Sequence, residues 1–394
     1  MPFSSRDAED RFYMAEALRL ARKGRFTTHP NPRVGCVIVN DSRIVGAGWH
    51  RRAGEPHAEV HALRQAGALA KGACAYVTLE PCSHFGLTPP CADALIAAGV
   101  SRVVAAIQDP NPRVAGSGLK KLQSVGIEVR VNVLEKEALE INKGFIKRMA
   151  SGLPRVSLKM AMSLDARTAM FSGESQWITG PAARADVQRL RAESSAVLTG
   201  IGTLLQDDAA LTVRAEQFDY ARYADAADDS GLNEVGLQEI IARQPLRIVL
   251  DSNAQMPSDC RLLATPAPIL WVVSESLDLR EDQKAIAALP YVELLALPDL
   301  SASERLVLLL RALAAKGINE ILVEAGARLA GSFISSGLYD ELIVYMAPKL
   351  MGSTARPLAI MDLQTMAENK ALKLIDVRQF GEDLRLIYEP ADKV

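Results

Sequence analysis

Cysteine is scarce in this chain, five among 394 residues, and the three that stand apart from any ligand-type pattern, Cys36, Cys74 and Cys260, form an odd set without scaffold spacing. That excludes a small secreted module built on disulfides and suits a reducing cytoplasm. Charge of one sign is lacking too: 45 basic against 47 acidic residues leave a net charge of −2, so nothing electrostatic calls for nucleic acid as the main partner. No apolar stretch approaches a membrane span, and residues 1–10 hold no hydrophobic leader core, so a cytoplasmic protein without membrane attachment is expected. No repeat calls for a solenoid. What the chain does have is length, enough for two domains that each bury a core.

Against this plain background stand His57-Ala58-Glu59, Pro81-Cys82 and Pro90-Cys91. An imidazole and two thiolates can hold Zn2+ at three corners of a tetrahedron, leaving the fourth for a water whose pKa the metal lowers. Glu59 is then a carboxylate free to move protons. Pro56 predicts a helix start, with His57 in the first turn, Glu59 turned to another side, and Val60, Ala62, Leu63 and Ala66 on the buried face. A second helix is expected to open at Pro89-Pro90 and to stop at Gly99, with Cys91 in a first turn whose N–H groups and dipole favour a thiolate. Taken singly, His-x-Glu belongs to many surface helices and a lone cysteine is usually a small buried hydrophobe. Together they point to a zinc-dependent deaminase. The usual deaminase signature spaces its cysteines by two residues, whereas here residues 83–90 intervene. Either this loop bulges out to line the pocket, or His84 or His61 replaces a cysteine; the proline and helix kept at Cys91 favour the bulge.

The surrounding periodicity is that of an α/β protein. Residues 7–23 read as a helix ended by Gly24; residues 34–39 and 44–48 read as strands joined by a hairpin at Asn40-Asp41-Ser42. Further strands are expected at residues 75–79, 102–107 and 127–133, with a helix at 118–125. Strands alternating with helices make a sheet covered on both faces. Small and breaker residues at 150–154 divide the chain into domains 1–150 and 151–394. In the second domain strands are expected from residue 155 and at 196–199, 246–251, 269–273, 320–323, 341–346 and 383–389, with helices at 182–193, 302–316 and 327–335. Residues 216–236 lack firm periodicity and read as a surface insertion.

The second domain carries two glycine turns that follow strands, Thr199-Gly200-Ile201-Gly202-Thr203 and the run from Val323 to Ser332. Helix starts of this kind offer backbone N–H groups to phosphate, though the same turns also serve plain helix–strand packing. Lys159, Asp165, Ser175, Trp177, Arg191, Asp207 and Arg214 could frame a substrate, and two of these arginines could clamp a phosphate. The plainer alternatives are a solvated helix face for Arg191, a turn for Asp207-Asp208 and a core position for Trp177.

HAE at 57–59, PCSHFGLTPPC at 81–91, SGESQWIT at 172–179 and VEAGARLAG at 323–331 together strongly resemble one family, the bifunctional riboflavin-biosynthesis deaminase/reductases. The resemblance covers nearly the whole chain, and the long cysteine spacing is the form that family uses. It implies a cytidine-deaminase-like three-layer domain followed by a dihydrofolate-reductase-like α/β domain, with Zn2+ and NADPH as cofactors. The implied substrate is 2,5-diamino-6-ribosylamino-4(3H)-pyrimidinone 5′-phosphate, deaminated hydrolytically and then reduced by hydride transfer to C1′ of the opened ribosyl group. Residue by residue, it gives zinc to His57, Cys82 and Cys91, proton transfer to Glu59, and substrate contacts in the deaminase pocket to Asn31, His50 and His84. For NADPH it implies Ala161, Trp177, Thr203, Asp207, Ser252 and the turn Gly326, Ala327, Arg328, Leu329, Ala330, Gly331 and Ser332. For the reductase substrate it implies Ser175, Arg191, Leu211, Arg214 and Glu324. Two positions depart from the family pattern: Leu87 stands where a basic residue is frequent, and Ala166 where glycine is common. Partners are then a small pyrimidine nucleotide, with neither nucleic acid nor membrane; a homo-oligomer is compatible with this. The rivals are a nucleic-acid or free-nucleotide deaminase with an accessory nucleotide-binding domain, which calls for a basic, aromatic surface, and a non-catalytic zinc scaffold.

Overall fold

A computed structural model of the chain describes residues 3–84, 89–111, 115–218 and 232–391, the side chains of 232–235 excepted. It divides into two compact units, Met1–Leu153 and Pro154–Val394. Among the described residues no helix is long and apolar enough to cross a membrane.

In the first unit the order is α1 (Arg6–Lys23), β1 (Gly35–Asn40), β2 (Arg43–Trp49), α2 (Ala58–Ala66), β3 (Cys74–Val77), α3 (Cys91–Ala97), β4 (Arg102–Ala105), α4 (Ser117–Ser124), β5 (Glu128–Arg130), α5 (Glu135–Ile141) and α6 (Lys143–Ser151). The β1–β2 hairpin closes through Asp41 and Ser42 at φ 48° and 58°, the two successive positive values of a type I′ turn. The sheet runs β2-β1-β3-β4-β5, antiparallel on its hairpin side and parallel from β3 to β5. Strand alternation splits the core in two. Cys36, Ile38, Ala75, Val77 and Val103 pack with Ala58, Ala62, Leu95 and Leu122 of α2, α3 and α4. Val37, Val39, Tyr76 and Val104 pack on the other face with Met14, Ala17 and Leu18 of α1 and Ala138 of α5. This is the three-layer arrangement the resemblance implies. Helix α2 lies so close to β2 that a Cβ at Gly48 would stand 2.4 Å from the Ala58 carbonyl oxygen, so only glycine admits the helix start at this depth.

The second unit contains β6 (Arg155–Ser163), β7 (Arg167–Ala169), α7 (Pro181–Glu193), β8 (Ala196–Gly200), α8 (Ile201–Asp207), α9 (Leu232–Ala242), β9 (Leu246–Leu250), α10 (Arg261–Ala264), β10 (Ile269–Ser274), α11 (Glu281–Ala287), β11 (Val292–Leu297), α12 (Ala302–Ala315), β12 (Glu320–Glu324), α13 (Ala327–Ser335), β13 (Glu341–Ala347), β14 (Arg356–Pro357), β15 (Leu372–Phe380) and β16 (Asp383–Pro390). Its nine-stranded sheet has the order β11-β10-β9-β8-β12-β6-β13-β16-β15, parallel from β11 to β13 and antiparallel at β16 and β15.

Several elements differ from the sequence expectations. Helix α9 occupies part of the run read as a structureless insertion; residues 219–231 of that run lie outside the described residues. Strands β11 and β15 went unread because they lack a buried alternating face: Leu374, Ile375 and Val377 are all exposed. Strand β3 stops at Val77, leaving residues 78–82 as an extended connection. Ala166, where glycine is common, takes φ 58°, a left-handed turn that costs an alanine about 1 kcal/mol and does not break the β6–β7 connection. The turn is held by Asp165, whose carboxylate accepts from the Ser163 hydroxyl at 2.5 Å and from the Gly352 N–H at 2.8 Å.

One buried carboxylate fastens α7 across the sheet. Asp186 accepts from Arg189 Nε at 2.7 Å, the Tyr345 hydroxyl of β13 at 2.6 Å and Arg385 Nη1 of β16 at 2.7 Å. Burial works against ionising Asp186, but Arg189, then Tyr345 and Arg385, outweigh it and hold its carboxyl at about 2. The carboxyl is thus lowered on folding from an ordinary 3.8 to about 2. Its contribution to stability is complete above 3.8 and disappears as pH falls toward 2. Asp186→Asn removes the charge that Arg385 and Arg189 share, leaving them Asp376 at 3.0 Å and Glu193 at 2.7 Å, and is expected to destabilise the second unit by about 1 to 3 kcal/mol at neutral pH. Denaturant melts of wild type and variant from pH 5 to 2 should converge as the pH falls; parallel curves would contradict this role.

Candidate active sites

In the first unit, helix α2 starts at Ala58 with His57 as its N-cap, in extended backbone at φ −72° and ψ 167°. The sequence places His57 inside the first turn; in the structure it stands one step earlier, which frees its ring to leave the helix axis. Cys82 sits in the connection after β3, and Cys91 is the first residue of α3. The Cys91 N–H donates to Cys82 Sγ at 3.3 Å, and His57 Nδ1 lies 3.2 Å from Cys91 Sγ and 3.6 Å from Cys82 Sγ. The three ligand atoms fall within 4.8 Å of one another. Among the described residues the cluster contains both cysteines and neither His61 nor His84. Leu87 and the middle of the loop, residues 85–88, lie outside the described residues.

The donor set fits zinc. Cys82 is pushed down to about 4, first by its hydrogen bond with Cys91, whereas Cys91 is pushed far up by that same contact and by burial. Two thiolates this close need a shared cation to coexist. Glu59, 3% exposed, has its carboxyl pushed up to about 7 by burial, and its Oε2 is buried without a hydrogen-bond partner among the described residues.

His50 lies against the cluster, its ring edge-on to His57 with centroids 5.3 Å apart. Its Nε2 meets Asn31 Nδ2 at 3.1 Å and its Nδ1 meets the Pro56 carbonyl at 3.3 Å, so the ring donates to Pro56 and accepts from Asn31. Burial, then the His57 charge, lower its pKa to about 4, which keeps it neutral. Asn31 and His50 thus join His57, while His84 is exposed. Glu80 was not singled out from sequence. Its carboxylate accepts from the N–H groups of Gly118 at 2.8 Å, Gly116 at 2.9 Å and Asp109 at 3.1 Å, fastening the connection that carries Cys82 to the turn before α4. Its one signal is its place beside Pro81-Cys82 after a strand.

In the second unit a cavity of about 460 Å³ opens at the carboxyl edge of the parallel strands. Glu324, ending β12, accepts from Arg191 Nε at 2.6 Å and Nη2 at 3.0 Å, with Lys159 Nζ at 3.7 Å; Arg191 Nη1 donates to the Thr212 carbonyl at 2.8 Å. Burial alone would raise Glu324, but Arg191 and then Lys159 hold it at about 2. Arg191 is 7% exposed, which rules out a solvated face. Three of its five N–H donors are engaged by Glu324 and Thr212, which fixes the guanidinium at the cavity wall and leaves two donors. The Ser175 hydroxyl donates to Asp207 at 2.7 Å, and Trp177, 55% exposed, has the Arg184 guanidinium 4.5 Å from its ring centroid. Trp177 is therefore a rim residue and not a core one.

Ala161, Trp177, Thr203, Asp207, Gly326 and Ala327 line this cavity, as do Ser175, Arg191, Leu211, Arg214 and Glu324. Gly200 and Gly326 are the N-caps of α8 and α13, and the Thr199 hydroxyl donates to the Glu324 carbonyl at 2.6 Å, tying the two glycine turns together. Paired helix starts beside a rim tryptophan suit a phosphate-rich dinucleotide. Other expected residues are not part of its lining, though the Leu329 side chain lies against Gly200. Ser252 follows β9 and accepts from Arg305 Nη1 at 2.8 Å. Arg328, Leu329, Ala330, Gly331 and Ser332 belong to the body of α13, and Gly331 is a packing glycine, since a Cβ there would stand 2.0 Å from the Ile360 carbonyl oxygen. Asp165, read as a substrate-framing residue, serves the β6–β7 turn instead. Arg184, Arg261 and Arg356 line the cavity with no motif to announce them.

Comparison with known proteins agrees with both sites. The cytidine and deoxycytidylate deaminase zinc-binding region matches residues 7–107, and the RibD C-terminal domain matches residues 154–386. Riboflavin biosynthesis protein RibD of Escherichia coli K12 is 52% identical over 379 residues, covering 96% of this chain and 98% of its own. Its counterpart in Haemophilus influenzae is 48% identical over 392 residues, covering 99% of each chain. The solved structure of Acinetobacter baumannii RibD, form 2, superposes with TM-score 0.86 at 43% identity over 98% of this chain and 100% of that one. A deaminase/reductase of Thermotoga maritima superposes with TM-score 0.81 at 31% identity, again over 98% and 100%. One zinc-type site and one reductase-type site on a single chain, and matches over nearly its full length, make it a member of the RibD family of bifunctional riboflavin-biosynthesis deaminase/reductases.

Proposed function

We propose that the first unit hydrolyses the 2-amino group of 2,5-diamino-6-ribosylamino-4(3H)-pyrimidinone 5′-phosphate, and that the second reduces the ribosyl group of the product to ribityl with NADPH. The observation that carries the deaminase half is the His57, Cys82 and Cys91 cluster beside the unpartnered Glu59 oxygen. Zinc held by His57, Cys82 and Cys91 supplies Lewis acidity toward water, and NADPH in the second cavity supplies hydride. Everything else falls to the protein.

Glu59 Oε2, buried and unspent, takes one proton of the attacking water to the ring nitrogen and then carries the second, from the new hydroxyl, to the amine, so that the carbonyl forms as the C–N bond breaks and ammonia leaves. Neutral His50, fixed by Pro56, holds the Asn31 amide for the pyrimidine edge. In the second unit Arg191 acts through Glu324, holding that carboxylate ionised and oriented for the substrate hydroxyls. Lys159 is the only lysine among the residues lining the cavity, and it is the group placed to give the proton that accompanies hydride transfer. We place the enzyme in the cytoplasm, where its cysteines, none of them paired with another, stay reduced.

Glu59→Gln is expected to keep stoichiometric zinc and the wild-type melting curve while ammonia release falls by about 10² to 10⁴-fold. NADPH oxidation on already deaminated substrate should continue at the wild-type rate. Retained deamination, read by coupled ammonia assay, would sink the proton-transfer role. Arg191→Ala, which leaves Glu324 with Lys159 alone, is expected to raise KM for the pyrimidine nucleotide about tenfold or more. KM for NADPH should shift far less; equal losses in both, read from steady-state kinetics, would mean that Arg191 serves the fold and not the substrate.

A further inference from the structure

Strands β8 and β12 are neighbours in the sheet, yet their connections leave in opposite directions. From β8 the chain runs through α8 and α9 to β9 on one side; from β12 it runs through α13 to β13, beyond β6, on the other. In an open sheet such a divergence opens a crevice at the carboxyl ends of the strands. The register shows where it opens. β8 and β12 pair from Ala196↔Ile321 to Leu198↔Val323 and go no further. Each continues on its outer side, β8 with β9 as far as Gly200↔Leu250 and β12 with β6 as far as Glu324↔Lys159. The two central strands therefore part at Thr199 and Glu324, where the cavity lined by Lys159, Thr203, Glu324 and Gly326 begins.

At that point a side chain replaces the ladder. Thr199 is fully buried, and its hydroxyl donates at 2.6 Å to the main-chain carbonyl of Glu324. Any buried hydroxyl needs an acceptor. What distinguishes this one is the residue it holds: Glu324 carries the carboxylate that Arg191 and Lys159 keep ionised, and Lys159 stands in register with it on β6. The two lips of the crevice thus carry different parts of the reductase site. Glu324 and Lys159 lie on the β12–β6 side, and the Gly200 turn and Thr203 on the β8–β9 side. Thr199 spans them.

We infer that Thr199 is a positioning residue for the reduction: through the Glu324 main chain it fixes the spacing of the two lips, and with it the placement of a substrate held by the Glu324 carboxylate against the cofactor. The inference rests on the reductase reading proposed above. Thr199 is not among the residues lining the cavity, so it acts through that carbonyl. Binding groups tolerate a small change in spacing, whereas misplacing the reacting atoms by about 1 Å costs on the order of 10²-fold in rate.

The test compares full-length wild type, Thr199→Val and Thr199→Ser. Valine keeps the shape and removes the donor; serine keeps the donor. With saturating NADPH and deaminated substrate, kcat should fall about 10- to 100-fold in Thr199→Val and return to within about fivefold of wild type in Thr199→Ser. Dissociation constants for NADPH alone and for deaminated substrate alone, read by calorimetry, should stay within about threefold, because every group that binds is still present. A wild-type kcat in Thr199→Val would overturn the inference. So would binding constants that weaken as much as kcat, or a variant that neither melts cooperatively nor binds NADPH, since both assign Thr199 to the fold. A serine variant as slow as the valine one would overturn it too. If wild type itself failed to bind NADPH and to oxidise it on deaminated substrate, the reductase reading would fall and the inference with it, a result distinct from an active wild type matched by Thr199→Val.

Discussion

Both sites of this protein take form at the carboxyl edge of parallel strands. A strand that must be followed by another parallel strand has to cross over, and the crossover helix begins where the strand ends. That edge therefore collects helix starts, tight turns and unsatisfied N–H groups. In the first unit β3 delivers Glu80 and Cys82 there, and α3 opens on Cys91. In the second, β8 and β12 are neighbours, so Gly200 and Gly326 open α8 and α13 side by side, with Glu324 between strand and turn. His57 reaches the first site from an antiparallel region because Gly48 lets α2 sink onto β2.

Such an edge is useful only if it is rigid, and buried carboxylates make it so. Glu80 ties the turn before α4 to the Cys82 connection, Asp186 ties α7 to β13 and β16, and Asp10 ties α1 to Tyr76, Arg102 and Arg130. Each accepts from several donors at once, and for Asp10 and Asp186 those donors hold ionised a carboxyl that burial would neutralise, so the loss of one contact weakens a whole network. Glu59 is the exception: equally buried, with one oxygen left unsatisfied. The contrast separates carboxylates that hold the frame from the one left available for chemistry.

The sequence made legible those features whose signal is local. His57, Cys82 and Cys91 each follow a proline, His57 and Cys91 stand at helix starts, and the structure brings the three ligand atoms together. Alternating strands and amphipathic helices were readable wherever one face is buried; β15, with both faces largely exposed, was not. What stayed hidden is pairing at long range. Arg191 and Glu324 are 133 residues apart, and no spacing says that their side chains meet. Arg261 carries no motif, and its position depends on Arg247 reaching carbonyls from two separate segments. Charge told the same story at two scales: a nearly neutral chain excluded a polyanionic partner, yet concealed a cavity strongly biased toward cations.

The two chemistries also impose opposite electrostatics, which argues for separate frames. The deaminase site needs a neutral imidazole and an unsatisfied carboxylate beside a dense anionic ligand set, and burial of His50 and Glu59 provides both. The reductase cavity needs surplus positive charge to hold phosphates, and an ionised Glu324 survives there only because Arg191 and Lys159 are its neighbours. The two sites thus reach their charge states by different means, burial in the first and paired cations in the second. Each unit draws its site residues from its own sheet and fastens them with its own buried ions. Damage to one site should therefore leave the other's geometry intact, and the two activities can be lost independently of one another.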